Sequence, residues 1–199
     1  MDFIGSFLSK DIKKNLDQWM TLPFIRITHA DVVQLLLDEM KIYEKEPKFD
    51  EDLTSEHERW LVDVKFKKPV FVTRYPQKVK SFYMPLINET NEESRGIKHV
   101  DNFDLLVPET GELVGGSMRI HDYDELEQRI NELSLDKKQL DFYIKLRENG
   151  TIPHGGWGMG FERFVKMVTG VPSVKDCVSF PFYIGCGTKD DSSIIKSDM

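Results

Sequence analysis

The chain has 199 residues, 40% of them hydrophobic and 31% charged, and a formal net charge of -7. That length suits one domain with a real core, and the acidic balance argues against a broad nonspecific nucleic-acid surface. Cys177 and Cys186, without a C-x-x-C pattern, argue against a disulfide framework or a zinc site, and no apolar run reaches the roughly 18 residues of a membrane span.

Residues 3–20 place Phe3, Ile4, Phe7, Leu8, Ile12, Leu16 and Trp19 at mostly helical spacing. This predicts an amphipathic helix that needs a partner surface. Thr28, with Asp31 three residues on, predicts the start of a second helix whose buried side is Val32, Leu35, Leu36 and Met40. Glu44 to Asp52 reads as a charged loop. Thr54 is expected to cap a short helix through Glu56, Glu58 and Leu61. Pro69 to Tyr75, rich in Val and Phe, reads as a strand, and the polar residues 88–99 read as a loop.

Asn102 to Val107 and Glu112 to Gly116 read as two further strands. The intervening Pro108-Glu109-Thr110-Gly111 has turn chemistry, which predicts an antiparallel hairpin. Two helices follow, one over about 123–133 with Leu126, Ile130 and Leu133 on one side, the other over about 136–148, ending near Gly150. The tail from Lys189 is polar and expected to fray. Helices, then strands in hairpin range, then helices predict an α+β fold with an antiparallel sheet flanked by helices.

Gly156-Trp157-Gly158-Met159-Gly160-Phe161-Glu162-Arg163 is the most informative stretch for function. Alternating glycines leave a surface without side chains, so a ligand or backbone can approach closely. Phe161, Phe164, Val165 and Val168 then have the spacing of one buried helical face, with Gly170 as its stop. Arg163 falls in the first turn, where a planar forked cation suits a phosphate group. The dinucleotide fingerprint is excluded, because Phe161 stands at its last glycine position.

Asp104 and Glu112 lie in the two strands of the predicted hairpin, with Gly115, Gly116, Ser117 and Arg119 downstream. Two readings follow. The acids form a solvated face with Arg119 as a cross-strand partner, or they are two hard oxygen ligands for Mg²⁺ beside a phosphate site. In the second reading Arg119 holds a carboxylate or amide of a small substrate. His154 either hydrogen-bonds a substrate or is a structural loop histidine. His29, His57, His99 and His121 show no shared metal spacing.

Gly111-Glu112-Leu113-Val114-Gly115-Gly116-Ser117-Met118-Arg119, followed by Pro153-His154-Gly155-Gly156-Trp157-Gly158-Met159-Gly160-Phe161-Glu162-Arg163, resembles class II aminoacyl-tRNA synthetases, the asparaginyl-tRNA synthetases above all. Thr54-Ser55-Glu56-His57-Glu58-Arg59, Lys80-Ser81-Phe82-Tyr83-Met84 and Phe103-Asp104-Leu105-Leu106-Val107-Pro108 add to the likeness in the expected order, over about residues 20–182. The resemblance implies that about 155–170 is motif 3, with Arg163 on the ATP triphosphate above Gly158 and Gly160. It implies that Glu112 and Asp104 hold Mg²⁺ and ATP. It implies that Arg119 contacts the side-chain group of the amino acid, with Tyr83 and Ser117 beside it. The implied reaction is activation of asparagine by ATP and its transfer to tRNA(Asn), in the cytoplasm, by a full-length homodimer that needs no membrane.

Motif 1, motif 2 and an anticodon-binding barrel have no counterpart in these residues, Phe182 stands where the family has an arginine, and the tail diverges from Tyr183. The expectation is therefore the C-terminal part of a synthetase catalytic domain, inactive by itself. An asparagine synthetase, an aspartyl-tRNA synthetase or a noncatalytic paralogue on the same scaffold are the alternatives.

Overall fold

The computed structural model describes residues 11–21, 23–39, 41–88 and 95–181. Residues 3–10 of the first expected helix, Met40, residues 89–94 of the polar loop, Phe182 and the tail lie outside them. Helix α1 spans Asp11–Thr21, strand β1 Ile25–Thr28 and helix α2 His29–Asp38. Thr28 caps α2 as its sequence predicts: its hydroxyl accepts from the Asp31 amide at 3.1 Å and donates to the Asp31 carboxylate at 2.6 Å.

Helix α3 begins at Ser55–Arg59 and continues as a π-helical stretch over Trp60–Lys65. Its cap is reciprocal. Thr54 Oγ1 accepts from the His57 amide at 3.3 Å, and His57 Nδ1 accepts from the Thr54 amide at 3.2 Å. Histidine thus takes the place of the usual Glu or Gln in the capping box.

Five strands form one sheet, ordered β1, β2 (Val70–Thr73), β3 (Asn102–Val107), β4 (Gly111–Arg119) and β5 (His154–Met159). The pairs β2–β3, β3–β4 and β4–β5 are antiparallel. The pair β1–β2 is parallel, so the sheet is mixed rather than wholly antiparallel. Strand β1 escapes sequence reading because it has four residues and runs directly into the Thr28 cap. Strand β5 is set by pairing with β4 rather than by propensity, since four of the six residues His154–Met159 are not strand formers and three are glycine.

The β3–β4 turn has left-handed residues at Glu109 (φ 60°) and Gly111 (φ 80°). A β-bulge follows, with Leu105 opposite Val114 and Leu106 opposite Glu112, so that Leu113 is the extra residue. Helices α4 (Tyr123–Glu132) and α5 (Asp141–Glu148) lie between β4 and β5; α5 starts later than its sequence suggested. Helix α6, Phe161–Thr169, ends at Gly170, whose φ of 72° gives the left-handed stop.

The sheet buries both faces. On one, Val70, Val72 and Leu106 pack against Val32 and Leu36 of α2 and Trp60, Leu61 and Val62 of α3. On the other, Leu105, Val107 and Leu113 meet Trp19 of α1 and Phe164 and Met167 of α6. The amphipathic α1 thus finds its partner surface. The expected apolar face of α6 is only partly buried, because Phe161 is 66% exposed at the helix start. A third cluster, Ile120, Leu126 and Ile130, ties α4 and α5 to the end of β4.

Candidate functional site

The pleat sorts the candidate side chains onto one face. Val72, Asp104, Gly115 and Gly158 lie in register across β2 to β5, and Asn102, Ser117 and Gly156 form the next row on the same side. Arg119 and His154 continue that side one row further. The bulge brings Glu112, opposite Leu106, onto this face as well. Asp104, Glu112, Ser117 and Arg119 therefore share the face that carries α2 and α3.

Glycine makes the floor. A Cβ at Gly158 would meet nothing within 4 Å, and one at Gly156 would come within 3.0 Å of Arg119 Nη2. The Arg119 guanidinium lies over Gly156, with its Cζ 4.1 Å from the Tyr83 ring centroid. It is a stacked fork held open toward the floor.

At the other end, Arg163 rises beside Gly160, its Nη1 bonded to the Glu112 carbonyl and 4.0 Å from the Glu112 carboxylate. Glu112 Oε1 and Asp104 Oδ1 approach the same bare carbon of Gly115: a Cβ there would lie 2.9 Å from the first and 3.5 Å from the second. The two oxygens thus flank a space that a larger residue would fill. Both are hard donors, so the set fits a magnesium ion by its chemistry. Among the described residues no group of three or more His, Cys, Asp or Glu side chains forms a metal cluster.

Four further residues shape this site, and sequence reading gave them no role. Lys80 donates to Asp104 Oδ2 at 2.7 Å, a pair largely shielded from water, with its ammonium 3.8 Å from the Tyr75 ring centroid. Tyr75 is fully buried, and burial followed by the Asp104, Glu58 and Asp52 charges pushes its hydroxyl well above its ordinary value. Glu58, on α3, is pushed up to about 7, first by burial and then by the charges of Glu112, Asp104 and Asp52, against the pull of Arg163. Arg147 is buried at the Arg119 end. Lys80 and Glu58 fall inside segments that carry the family resemblance, which was the available signal; Arg147 had none beyond its place near the end of α5.

A cavity of about 970 Å³ opens on the opposite side of the sheet, where Phe71, Phe103, Met118 and Trp157 line it. Those side chains face away from Arg119 and Arg163. Among the described residues no helix is long and apolar enough to cross a membrane.

Comparisons with known proteins show the family. A family model described as tRNA synthetases class II (D, K and N) matches residues 1–183. The asparagine–tRNA ligase of Vibrio vulnificus (strain YJ016) is 39% identical over 181 residues, which is 91% of this chain and 37% of that protein. That of Clostridium tetani is 41% identical over 181 residues, 91% of this chain and 38% of that protein. Among solved structures, Entamoeba histolytica asparaginyl-tRNA synthetase in complex with asparaginyl-adenylate superposes with a TM-score of 0.73 at 31% identity, covering 91% of this chain and 41% of that one. The chain thus spans well under half the length of the relatives it matches. It belongs to the class II tRNA synthetases of the D, K and N group.

Proposed function

We propose that these residues are the C-terminal part of the catalytic domain of an asparagine–tRNA ligase, acting in the cytoplasm within a homodimeric parent. The substrates are asparagine, ATP and tRNA(Asn). The observation that carries the reading is the bipolar face: the Arg119–Tyr83 stack at one end, the Arg163–Glu112 pair at the other, and bare glycine between them. The identity to asparagine–tRNA ligases supports asparagine as the amino acid.

The residues divide the work. Arg119 holds the side-chain amide oxygen, with Ser117 beside it, and Tyr83 keeps the guanidinium in plane. Gly156 and Gly158 let the acyl and nucleotide parts lie flat on the sheet. Arg163 grips phosphate oxygens through its fork. Glu112 and Asp104 would hold a magnesium ion, which when bound offsets charge developing on phosphate oxygens. An asparagine carboxylate oxygen attacks the α-phosphorus in line and pyrophosphate leaves. The nucleophile is already ionised, so no general base is needed, and the protein contributes position and charge. A ribose hydroxyl of tRNA then takes the acyl group and AMP leaves.

The test is calorimetric titration of the chain with a non-hydrolysable sulfamoyl analogue of asparaginyl adenylate, beside its aspartyl counterpart. Binding of the asparaginyl compound in preference to the aspartyl one is expected. Equal binding, or none, would overturn the assignment.

A further inference from the structure

Arg147 is a guanidinium buried at 5% exposure, and among the described residues none of its bonds goes to a carboxylate. Its Nε donates to the Ile120 carbonyl at 3.1 Å, Nη1 to the Tyr143 carbonyl at 3.3 Å and Nη2 to the Tyr143 hydroxyl at 2.8 Å. The same Nη2 is 3.5 Å from His154 Nε2. Burying a permanent charge on neutral acceptors and the face of the Tyr143 ring, whose centroid is 3.7 Å from the Arg147 Cζ, is still costly, so these bonds are expected to serve a purpose beyond fastening one helix.

Two of the acceptors, Ile120 and His154, adjoin Arg119. Ile120 follows it in the chain, and the Ile120 amide donates to the Tyr83 carbonyl at 2.9 Å. Tyr83 is the ring on which Arg119 stacks. His154 is the partner of Arg119 across the β4–β5 ladder, and its Nδ1 lies 2.8 Å from the Ile152 carbonyl. Nδ1 therefore carries the proton, and Nε2 is the acceptor that faces Arg147. From one side chain, contacts run to the residue after Arg119, through it to the backbone of Tyr83, and directly to His154 on the strand beside it.

We infer that Arg147 is a positioning residue for the side-chain pocket: it fixes the Arg119 fork above Gly156 by tying the end of β4, the Tyr83 loop and the start of β5 to α5. This rests on the reading of Arg119 as the amino-acid clamp. A clamp that drifts loses its hydrogen-bond geometry while the phosphate end, beyond the glycine floor, keeps its own.

The test has a spectroscopic arm and a binding arm, both on the chain of residues 1–199. The Arg119 Nε–H resonance, assigned by its loss in Arg119→Lys, is expected to be displaced by the Tyr83 ring current. In Arg147→Met it should move toward the value of a free arginine. Arg147→Lys, lacking the fork, should restore the pattern only in part. Tyr143→Phe, which removes one hydroxyl, should produce the same changes in smaller measure and serves where Arg147→Met does not fold. In calorimetry, asparagine affinity should fall by at least about tenfold in Arg147→Met, with ATP affinity within about twofold of wild type. An Arg119 resonance unmoved in these variants, or equal loss of asparagine and ATP, would overturn the inference. If the wild-type chain binds no asparagine, the substrate reading fails, and the resonance arm still decides the positioning role.

Discussion

Arg163 holds Glu112 by its backbone more closely than by its charge: Nη1 bonds the Glu112 carbonyl, and the approach to the carboxylate is 4.0 Å. The two side chains are 46% and 43% exposed. An ion pair so open to water contributes about 1 kcal/mol or less to stability. Arg163→Ala should therefore fold normally and still lose affinity for ATP. A charge-assisted hydrogen bond contributes roughly 1.5–3 kcal/mol, so a loss of about tenfold or more is expected in calorimetry. Arg163→Lys should recover part of it. Unchanged ATP affinity in Arg163→Ala would remove Arg163 from the site.

Gly116, which faces the other side of the sheet, and Gly158, on the floor, should respond in opposite ways. A Cβ at Gly116 would lie 2.5 Å from Phe103 Cε1 and 3.0 Å from Trp157 Cβ. Phe103 packs edge-on against Phe71, at 5.6 Å between centroids, and lines the open cavity, into which its ring can shift. Gly116→Ala should cost about 1 kcal/mol, the low end of overpacking. Gly158→Ala meets nothing within 4 Å and should leave urea unfolding unchanged while weakening nucleotide binding. If both substitutions unfold the chain equally, the open floor is wrong.

Lys80 and Asp104 should be separable from each other only at a cost. Their side chains are 15% and 11% exposed, and Glu58 and Glu112 add negative charge nearby. Lys80→Met leaves a shielded carboxylate without its cation and should destabilise by about 3 kcal/mol. Lys80→Met combined with Asp104→Asn should recover most of that loss. Chemical denaturation of the three variants measures the coupling, and additive losses would contradict it.

His29 should make the fold sensitive to mild acid. It is fully buried against the Tyr75 ring, at 4.9 Å between centroids. Burial lowers it to about 4 from 6.5; the Glu51 backbone opposes this, and His99 and Lys80 reinforce it. A histidine held neutral in the fold contributes stability fully above the unfolded value. That contribution is lost as pH falls from about 6.5 to about 4, where the unfolded chain takes up the proton first. Its size is at most about 3 kcal/mol. His29→Phe should flatten the stability–pH curve in this window, as read by urea unfolding at several pH values. A slope identical to wild type would show that His29 does not titrate this way.

The legible parts of the sequence were those in which one residue type answers a local demand. Thr28 and Thr54 mark helix starts because their hydroxyls reach orphan amides, and Gly170 marks a stop because it takes the left-handed conformation. Asp104, Glu112, Arg119 and Arg163 were found through their motifs, and the structure brings them to one face. What stayed hidden was set at a distance. The π-helical Trp60–Lys65 extends α3 because Trp60, Leu61 and Val62 bury against the sheet. Strand β5 exists because β4 offers it a ladder. Glu58 and Arg147 look like surface residues of short helices until the chain folds over them.

The bulge at Leu113 has a consequence for the spacing of Gly-Glu-Leu-Val-Gly-Gly. In a regular strand, residues three apart point to opposite sides, so Glu112 and Gly115 would be parted by the sheet itself. The extra residue acts as a phase shift that returns Glu112 to the side of Asp104. Leu113 itself turns to the other side, into the core with Leu105 and Val107. Deleting it would restore regular alternation, with Glu112 two residues from Gly115 and still on its side, and the core would lose a buried leucine. One strand thereby sets an acid on the site face and an additional apolar side chain in the core on the other.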